Sequence, residues 1–444
     1  MSLKYIYLIA VISVVILSGC SVQKTATTAG KLSKIERFAQ DTLFKTAHVG
    51  FVLLDEKTGK FVEEYNADKY FVPASNTKLF TTYAALKYLK DSLAGFYCHE
   101  TADTLYLKPN ADPTFLNKDF KEQKVFDKIR SANKTVVIEK APSAGITRLG
   151  NGWAWINYQS GEMPERTVMP IYGNVVKFKV SGDSVIAFPH YFQSGLKVRG
   201  DIAGKRVNVS RSMDDNTFVA APSKSNILTR PFTHKADPAL AYHLLQDTLK
   251  SLNLSIKVIE SQKRDANFWK PFYTQKTDDV LRPMMHDSNN FLAEHMLIMA
   301  GTQINGQLNE QLAISYLNKN DLSDLSTKFI WYDGSGWSRY NNVTPRAITD
   351  LLVKMKKEFG WKRISGILQK GNEGTVKGYY KGYEENIYSK TGTLGSNVTS
   401  LSGYLITKKG NNYIFSFQVN NHYKSASSIR KAFETYITEI IENQ

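Results

Sequence analysis

Cysteine is nearly absent. The 444 residues include two, Cys20 and Cys98, so at most one disulfide can close and no cysteine-rich metal site can be built. With 28 glycines and 13 prolines the chain has too few of either for a collagen-like or Pro/Gly-rich class. It contains no internal repeat and no low-complexity tract. Acidic residues are the minority charge, 41 against 57 Lys and Arg, for a formal net charge of +16. That balance raises nucleic acid as a partner. The lysines, however, are spread along the chain rather than clustered, so most read as solvated surface and no nucleic-acid partner is expected. An anionic lipid surface or an anionic wall polymer remains compatible with the charge. No metal or cofactor is expected.

What is present is ordinary globular material: 42% apolar, 22% charged and 12% aromatic residues, in a chain long enough for more than one domain. The exception is the start, "MSLKYIYLIAVISVVILSGC". Lys4 precedes an apolar run from Ile6 to Leu17, too short to cross a bilayer comfortably but suited to an export signal. It ends in Leu17-Ser18-Gly19-Cys20, which resembles the bacterial lipobox, in which the cysteine is lipidated and becomes the first residue. The alternative is an ordinary cleaved signal peptide with an incidental cysteine. On the lipobox reading residues 1–20 are a lipoprotein signal and 21–34, small and polar, a tether. The protein is then exported and lipid-anchored to the membrane of the cell envelope, facing the periplasm, and Cys98 has no disulfide partner.

Two β-like runs open the remainder, "HVGFVLLD" (48–55) and "KFVEEYN" (60–66), with a turn at 56–59. From Thr77, Leu79, Phe80, Tyr83, Leu86 and Leu89 recur at helical spacing. Residues 96–265 change character: short β-like runs ("TLYLKP", "KTVVIE", "NVVKFKVSGDSVIAF", "KRVNVS") alternate with Gly, Pro, Asn and Asp clusters, which predicts a β-rich insertion. Helical patterns return at 287–301 and 344–359. The end reads strand, hairpin, strand, helix.

Where the second strand-like run gives way to the helical pattern stands "VPASNTKLF", with Ser75 and Lys78 three residues apart. Serine is a favoured helix N-cap, and Ser-x-x-Lys recurs at Ser21/Lys24, Ser131/Lys134, Ser194/Lys197 and Ser428/Lys431, so capping is the plain reading. Two further signals follow in order: Ser288-Asn289-Asn290, opening a helical segment, and Lys390-Thr391-Gly392-Thr393, before a strand. A second Lys-Thr-Gly, at Lys57-Thr58-Gly59, precedes Ser75 inside a predicted hairpin turn, where glycine is wanted for its backbone.

The ordered triplet resembles the three-motif set of penicillin-binding proteins and serine β-lactamases. The 210 residues from Lys78 to Ser288, filled by the β-rich stretch, narrow the resemblance to the class C low-molecular-mass penicillin-binding proteins, the D-alanyl-D-alanine carboxypeptidase/endopeptidase family. "ADPTF" (111–115), "GWAW" (152–155), "DGSGWSRYNNVTP" (333–345) and "FSFQVNN" (415–421) agree. The resemblance implies an α/β (α+β) penicillin-binding/serine β-lactamase-like transpeptidase fold, an antiparallel sheet flanked by helices. Residues 35–95 and 266–444 would form the peptidase domain and 96–265 the insertion. It implies a serine D,D-peptidase acting on peptidoglycan stem peptides and acylated by β-lactams.

Chemistry gives each residue a task. A serine hydroxyl is a poor nucleophile until a base takes its proton. Lys78, one helical turn on, can reach Ser75 Oγ, and desolvation together with the charge of Lys390 would push it toward the neutral form a base needs. Ser288 would relay a proton to the leaving amine and Asn290 hold the substrate backbone. Thr391, Gly392 and Thr393 with Lys390 would form the strand that meets a substrate carboxylate. The N–H groups of Ser75 and Thr393 would make the oxyanion hole. Arg339 would either face a stem-peptide carboxylate or be structural. Asp333 and His286 read as structural.

The chain departs from the family pattern in three places, one of them the lipobox, which departs from soluble members and suggests membrane tethering. After "WAW" the family can carry an aspartate that meets the amino end of the peptidoglycan side chain; here the stretch reads "WINYQ" and Asn157 is the counterpart. The wall segment reads "GNEGTVKGYY" (371–380) in place of Gly-x-x-Gly-(Thr/Ser)-Leu. Two alternatives stay open at this level. A β-lactamase on the same fold would need a deacylating base, but no Glu-x-x-Leu-Asn run follows Ser288. A non-catalytic wall binder would have no need of paired lysines.

Overall fold

The early strand His48–Asp55 pairs antiparallel with the late strand Asn412–Asn420, from His48 opposite Asn420 to Asp55 opposite Tyr413. The chain is described by a computed structural model over residues 32–142, 145–265 and 267–444. The expected export signal with Cys20, and residues 21–31 of the expected tether, lie outside the described residues.

Six strands form the central sheet in the order Gln369–Lys370, Ile387–Leu394, Val398–Ile406, Asn412–Asn420, His48–Asp55, Phe61–Tyr65, all antiparallel. Side chains alternate between its faces. Leu54 and Ile414 join one core with Leu79, Phe80 and Leu351, whereas Leu53 and Phe415 join another with Phe433, Ile437 and Ile35. Helices Thr77–Tyr88 and Pro345–Phe359 therefore cover one face, and Ala426–Asn443 with Lys34–Ala39 the other. Burial on both sides explains why "FVLLD" reads as a continuous apolar run. The Lys57-Thr58-Gly59 copy sits in the first hairpin turn: Asp55 Oδ1 accepts from Thr58 N at 2.8 Å, and Gly59 has φ 67°.

Helix Thr77–Tyr88 is buried all round from Thr77 to Leu86, although its sequence reads as one apolar face. The helix Asn290–Asn305, buried from Asn290 to Gly301, packs on the side away from the sheet. A helix enclosed on all sides is held by packing rather than by its own propensity.

The inserted region has its own core, with Phe96, Leu107, Ile138, Phe178, Phe218 and Leu245 among its members. Its largest sheet runs Lys257–Ile259, Thr135–Glu139, Thr104–Pro109, Ser92–Glu100, Lys270–Lys276, and two three-stranded sheets complete it. This sheet starts at Ser92 and ends at Lys276, outside the expected 96–265, because the outermost segments pair with each other, Lys270 opposite Cys98. The region is also not purely β. Helix Leu240–Lys250 buries six residues in its core, and Lys124–Arg130 adds a second helix.

Candidate active site

Ser75 lies in a short 3-10 turn, Ala74–Asn76, that runs into helix Thr77–Tyr88. It does not cap the helix with its side chain. Its Oγ instead accepts a hydrogen bond from Lys78 Nζ at 2.9 Å. The turn is fastened from below. Asn76 Nδ2 donates to Lys390 O (2.8 Å) and Asn76 Oδ1 accepts from Ser402 Oγ (2.7 Å), while Ser400 Oγ donates to Pro73 O (2.9 Å). Two residues with positive φ shape it: Ala74 (46°) and Gly336 (81°), the latter packed so closely that a Cβ would stand 1.9 Å from Ala74 O.

Lys78 is fully buried, and its ammonium has two further acceptors, Asn290 Oδ1 at 2.6 Å and Ser335 O at 2.8 Å. Burial pulls its pKa down to about 8, against the opposing fields of Asp333, Glu162 and Glu294. Lys390, also fully buried, donates to Ser288 Oγ and to Thr391 O, each at 2.9 Å. Burial, then the charges of Lys78 and Arg430, hold it well below the usual lysine range. Of the two causes expected to depress Lys78, burial is the leading one. The fields of Asp333, Glu162 and Glu294 favour charged Lys78, and among the described residues no carboxylate forms an ion pair with Lys390, so of the two Lys78 keeps its proton better.

The second motif departs slightly from its expected geometry. Ser288 stands before the helix with φ 56°, and Asn289 is the cap, accepting from Leu292 N at 3.0 Å. Asn290 opens the helix and bridges the site: besides meeting Lys78, its Nδ2 donates to Glu162 O at 2.8 Å. The structure thus joins Ser75, Lys78 and Asn290 in one hydrogen-bonded group and Ser288 and Lys390 in another, the two lysines close enough for their charges to interact.

The third motif lies on strand Ile387–Leu394, whose outer edge is paired only at Tyr388 and Ser389. Beyond Lys390 that edge has no strand partner among the described residues. Gly392 allows the Ser75 turn to approach, since a Cβ there would meet Pro73 O at 2.6 Å and Ser75 N at 3.1 Å. Thr391 Oγ1 shares a hydrogen bond with Thr375 Oγ1 at 2.6 Å, so the divergent wall segment supplies a hydroxyl. Thr393 Oγ1 accepts from Arg430 Nη2 at 2.8 Å.

Arg339 is exposed at the rim, with Nη1 3.5 Å from Asn397 Oδ1 in the turn after this strand. Asn157 is half-buried on the Trp155–Asn157 turn, and its side chain makes no hydrogen bond among the described residues. The segment it belongs to does reach the site, through Trp153 Nε1, which donates to Asp333 Oδ2 at 2.8 Å, and through Glu162.

Several residues that matter were missed or underrated from the sequence. Asp333, buried, gathers Trp153 Nε1, Gly336 N (2.8 Å), Ser338 N (2.6 Å) and Asn341 Nδ2 (2.7 Å), and so folds the "DGSG" loop against Lys78. Glu294, buried beneath it, accepts from Ser335 N at 2.8 Å and pairs with Arg166 at 3.1 Å; Arg166 also pairs with Glu310 at 2.9 Å. Burial, with Asp333 nearby, raises Glu294 to about 7. The "AEH" on a buried apolar helix was the available signal for Glu294. Arg430, in a surface-like helix, gave none.

A serine held against a buried lysine one turn away, at the open edge of an antiparallel sheet enclosed by helices, defines the active-site-serine enzymes of the penicillin-binding/serine β-lactamase fold. The chain belongs to the D-Ala-D-Ala carboxypeptidase 3 (S13) family, whose model matches residues 31–440. It is 26% identical to a D-alanyl-D-alanine carboxypeptidase of Actinomadura sp. (strain R39), over 87% of this chain and 80% of that one. Among solved structures, penicillin-binding protein 4 from Haemophilus influenzae is similar, with a TM-score of 0.73 at 19% identity over 93% of this chain and 100% of that one. A predatory peptidoglycan endopeptidase from Bdellovibrio bacteriovorus has a TM-score of 0.51 at 15% identity over 89% and 92%. These two structural likenesses bear on the fold; the family match makes the chain a serine-type peptidase.

Proposed function

We propose that Ser75 is the nucleophile of a D,D-peptidase that cleaves after the penultimate D-alanine of peptidoglycan stem peptides. The observation that carries this reading is the 2.9 Å hydrogen bond from the buried Lys78 Nζ to Ser75 Oγ. Neutral Lys78 takes the Ser75 proton as Oγ attacks the scissile carbonyl, and the carbonyl oxygen becomes an oxyanion between the N–H groups of Ser75 and Thr393. Removal of one such donor typically costs about 10²–10³ in rate. The proton passes through Ser288, bonded to Lys390, to the leaving nitrogen. The C–N bond breaks, D-alanine leaves as the amine, and an ester on Ser75 remains for water to hydrolyse. Asn290 braces Lys78 and would hold the substrate backbone, while Asn157 and Arg339 are the candidates for meeting the rest of the stem peptide. A β-lactam is attacked in the same way, but its leaving nitrogen stays tethered.

Export and a lipid anchor on Cys20 belong to the same proposal, supported by the leader sequence: the enzyme would work beside the wall it trims. The test is mass spectrometry of residues 31–444 mixed with benzylpenicillin, beside Ser75→Ala. An adduct on Ser75, absent in the variant, is expected. Intact drug with no adduct would overturn the reading, and consumed drug with no adduct would replace it with β-lactamase activity.

A further inference from the structure

The inserted region holds a cavity of about 390 Å³ to which none of the three motifs contributes, a volume that suits one ligand ring with its substituents. Lys177 and Phe188 both line it. They stand opposite each other across the antiparallel strands Val175–Ser181 and Ser184–Phe188, and the Phe188 ring keeps 53% of its surface exposed. Lys118 enters from the loop before helix Lys124–Arg130, and the last turn of helix Leu240–Lys250 adds Asp247 and Thr248.

Two observations distinguish this cavity from a surface crease. The first is charge. Lys118 and Lys177 stand side by side, and Lys177 is held below the usual lysine range by burial first and then by its neighbour, against the field of Asp119. Neither ammonium has an ion-pair partner among the described residues, and nor does the Asp247 carboxylate. Like charges set together are unfavourable until an anion comes between them. The second is shape. Leu116 and Tyr172, which also line the cavity, hold left-handed backbones (φ 49° and 56°) that side chains of their size rarely adopt. Both are clamped: the Tyr172 hydroxyl is hydrogen-bonded to Thr248 Oγ1, and Leu116 N donates to Gln123 Oε1 at 2.7 Å.

We propose that this cavity is a second binding site, for a glycan unit that carries an anionic group, carboxylate or phosphate. The paired ammoniums take the anion. The open face of Phe188 receives the C–H face of the sugar ring, and Asp247 accepts from a ring hydroxyl. A neutral sugar would leave the two lysines repelling each other, and a bare anion would leave the aromatic ring uncovered. A site of this kind on the insertion, separate from Ser75, holds a polymer strand near the peptidase domain and raises its effective concentration there without entering the chemistry.

The experiment titrates the protein with N-acetylmuramic acid, N-acetylglucosamine 6-phosphate and neutral N-acetylglucosamine, followed by ligand-observed NMR. At least one of the two acids should bind about tenfold more tightly than the neutral sugar. The tighter of the two names the source, a carboxylate-bearing glycan unit or a phosphorylated one. The double variant Lys118→Gln/Lys177→Gln should bring the acids down to the level of the neutral sugar, whereas Phe188→Ala should weaken all three alike. Acylation of Ser75 by benzylpenicillin should proceed at the wild-type rate in every variant, which separates this site from the peptidase cleft. Should the double variant fail to fold, Lys118→Gln decides, since its side chain is exposed and its loss must remove part of the preference. Equal binding of acids and neutral sugar, or no binding of any of them, would overturn the proposal. So would a preference for acids that survives the loss of both lysines, or a fall in acylation that matches the fall in binding.

Discussion

The pH dependence of acylation tests the assignment of Lys78 as base. Burial holds this lysine at about 8 instead of 10.5. With that value the neutral fraction is about 9% at pH 7, about half at pH 8 and about nine-tenths at pH 9; a solvated lysine would be neutral in only about 0.03% of molecules at pH 7. Desolvation thus enlarges the reactive population about 300-fold at neutral pH. The second-order rate constant for benzylpenicillin, measured by quenched-flow mass spectrometry at constant ionic strength, should rise about fivefold from pH 7 to 8 and less than twofold from pH 8 to 9. A tenfold rise in each of the two steps would mean that the base is an unperturbed amine, and a flat profile from pH 6 that it is not Lys78; either result refutes the reasoning. Glu162→Gln supplies a second perturbation. Its exposed carboxylate favours the charged lysine, so its removal should move the midpoint to lower pH. The same shift has a stability consequence. Between pH 8 and 10.5 the folded protein binds fewer protons at Lys78 than the unfolded chain. A cost of about 3 kcal/mol is therefore fully present below pH 8 and relieved as pH rises through that window.

Other substitutions probe the scaffold. Gly336→Ala places a methyl 1.9 Å from Ala74 O at φ 81°, pushes the Ser75 turn, and should lower the acylation rate about a hundredfold while circular dichroism stays that of a folded protein. Asp333→Asn turns an amide N–H toward buried donors and should reduce the unfolding free energy by about 2–4 kcal/mol in urea titrations. Arg166→Met leaves Glu294 and Glu310 buried without their cation. It should destabilise by about 3–5 kcal/mol at pH 7.5 and by less at pH 5, where Glu294 is protonated; equal losses at both pH values would argue against an electrostatic role.

The order and spacing of Ser75–Lys78, Ser288–Asn290 and Lys390–Thr393 stand in the sequence because each motif is local: a turn entering a helix, a helix cap, a strand. The inner strands of the central sheet were legible for a similar reason, since layers covered on both faces demand continuous apolar runs such as "FVLL". The sequence also marked Lys57-Thr58-Gly59 as a turn. Contacts between distant segments were not legible. The pairing of Ser92–Glu100 with Lys270–Lys276 depends on which segments meet after 170 residues of chain, and neither strand advertises its partner. The buried pair of Arg166 and Glu294 looks, residue by residue, like ordinary surface charge. The state of the two lysines was beyond any motif as well, because a pKa depends on burial and on which carboxylates lie nearby. Tertiary packing brought the fields of Asp333 and Glu294 to Lys78, gave Lys390 no carboxylate partner among the described residues, and laid Arg430 from the last helix against Thr393. Local sequence named the candidate reacting groups; only the folded core, by excluding water and bringing remote charges together, sets their protonation.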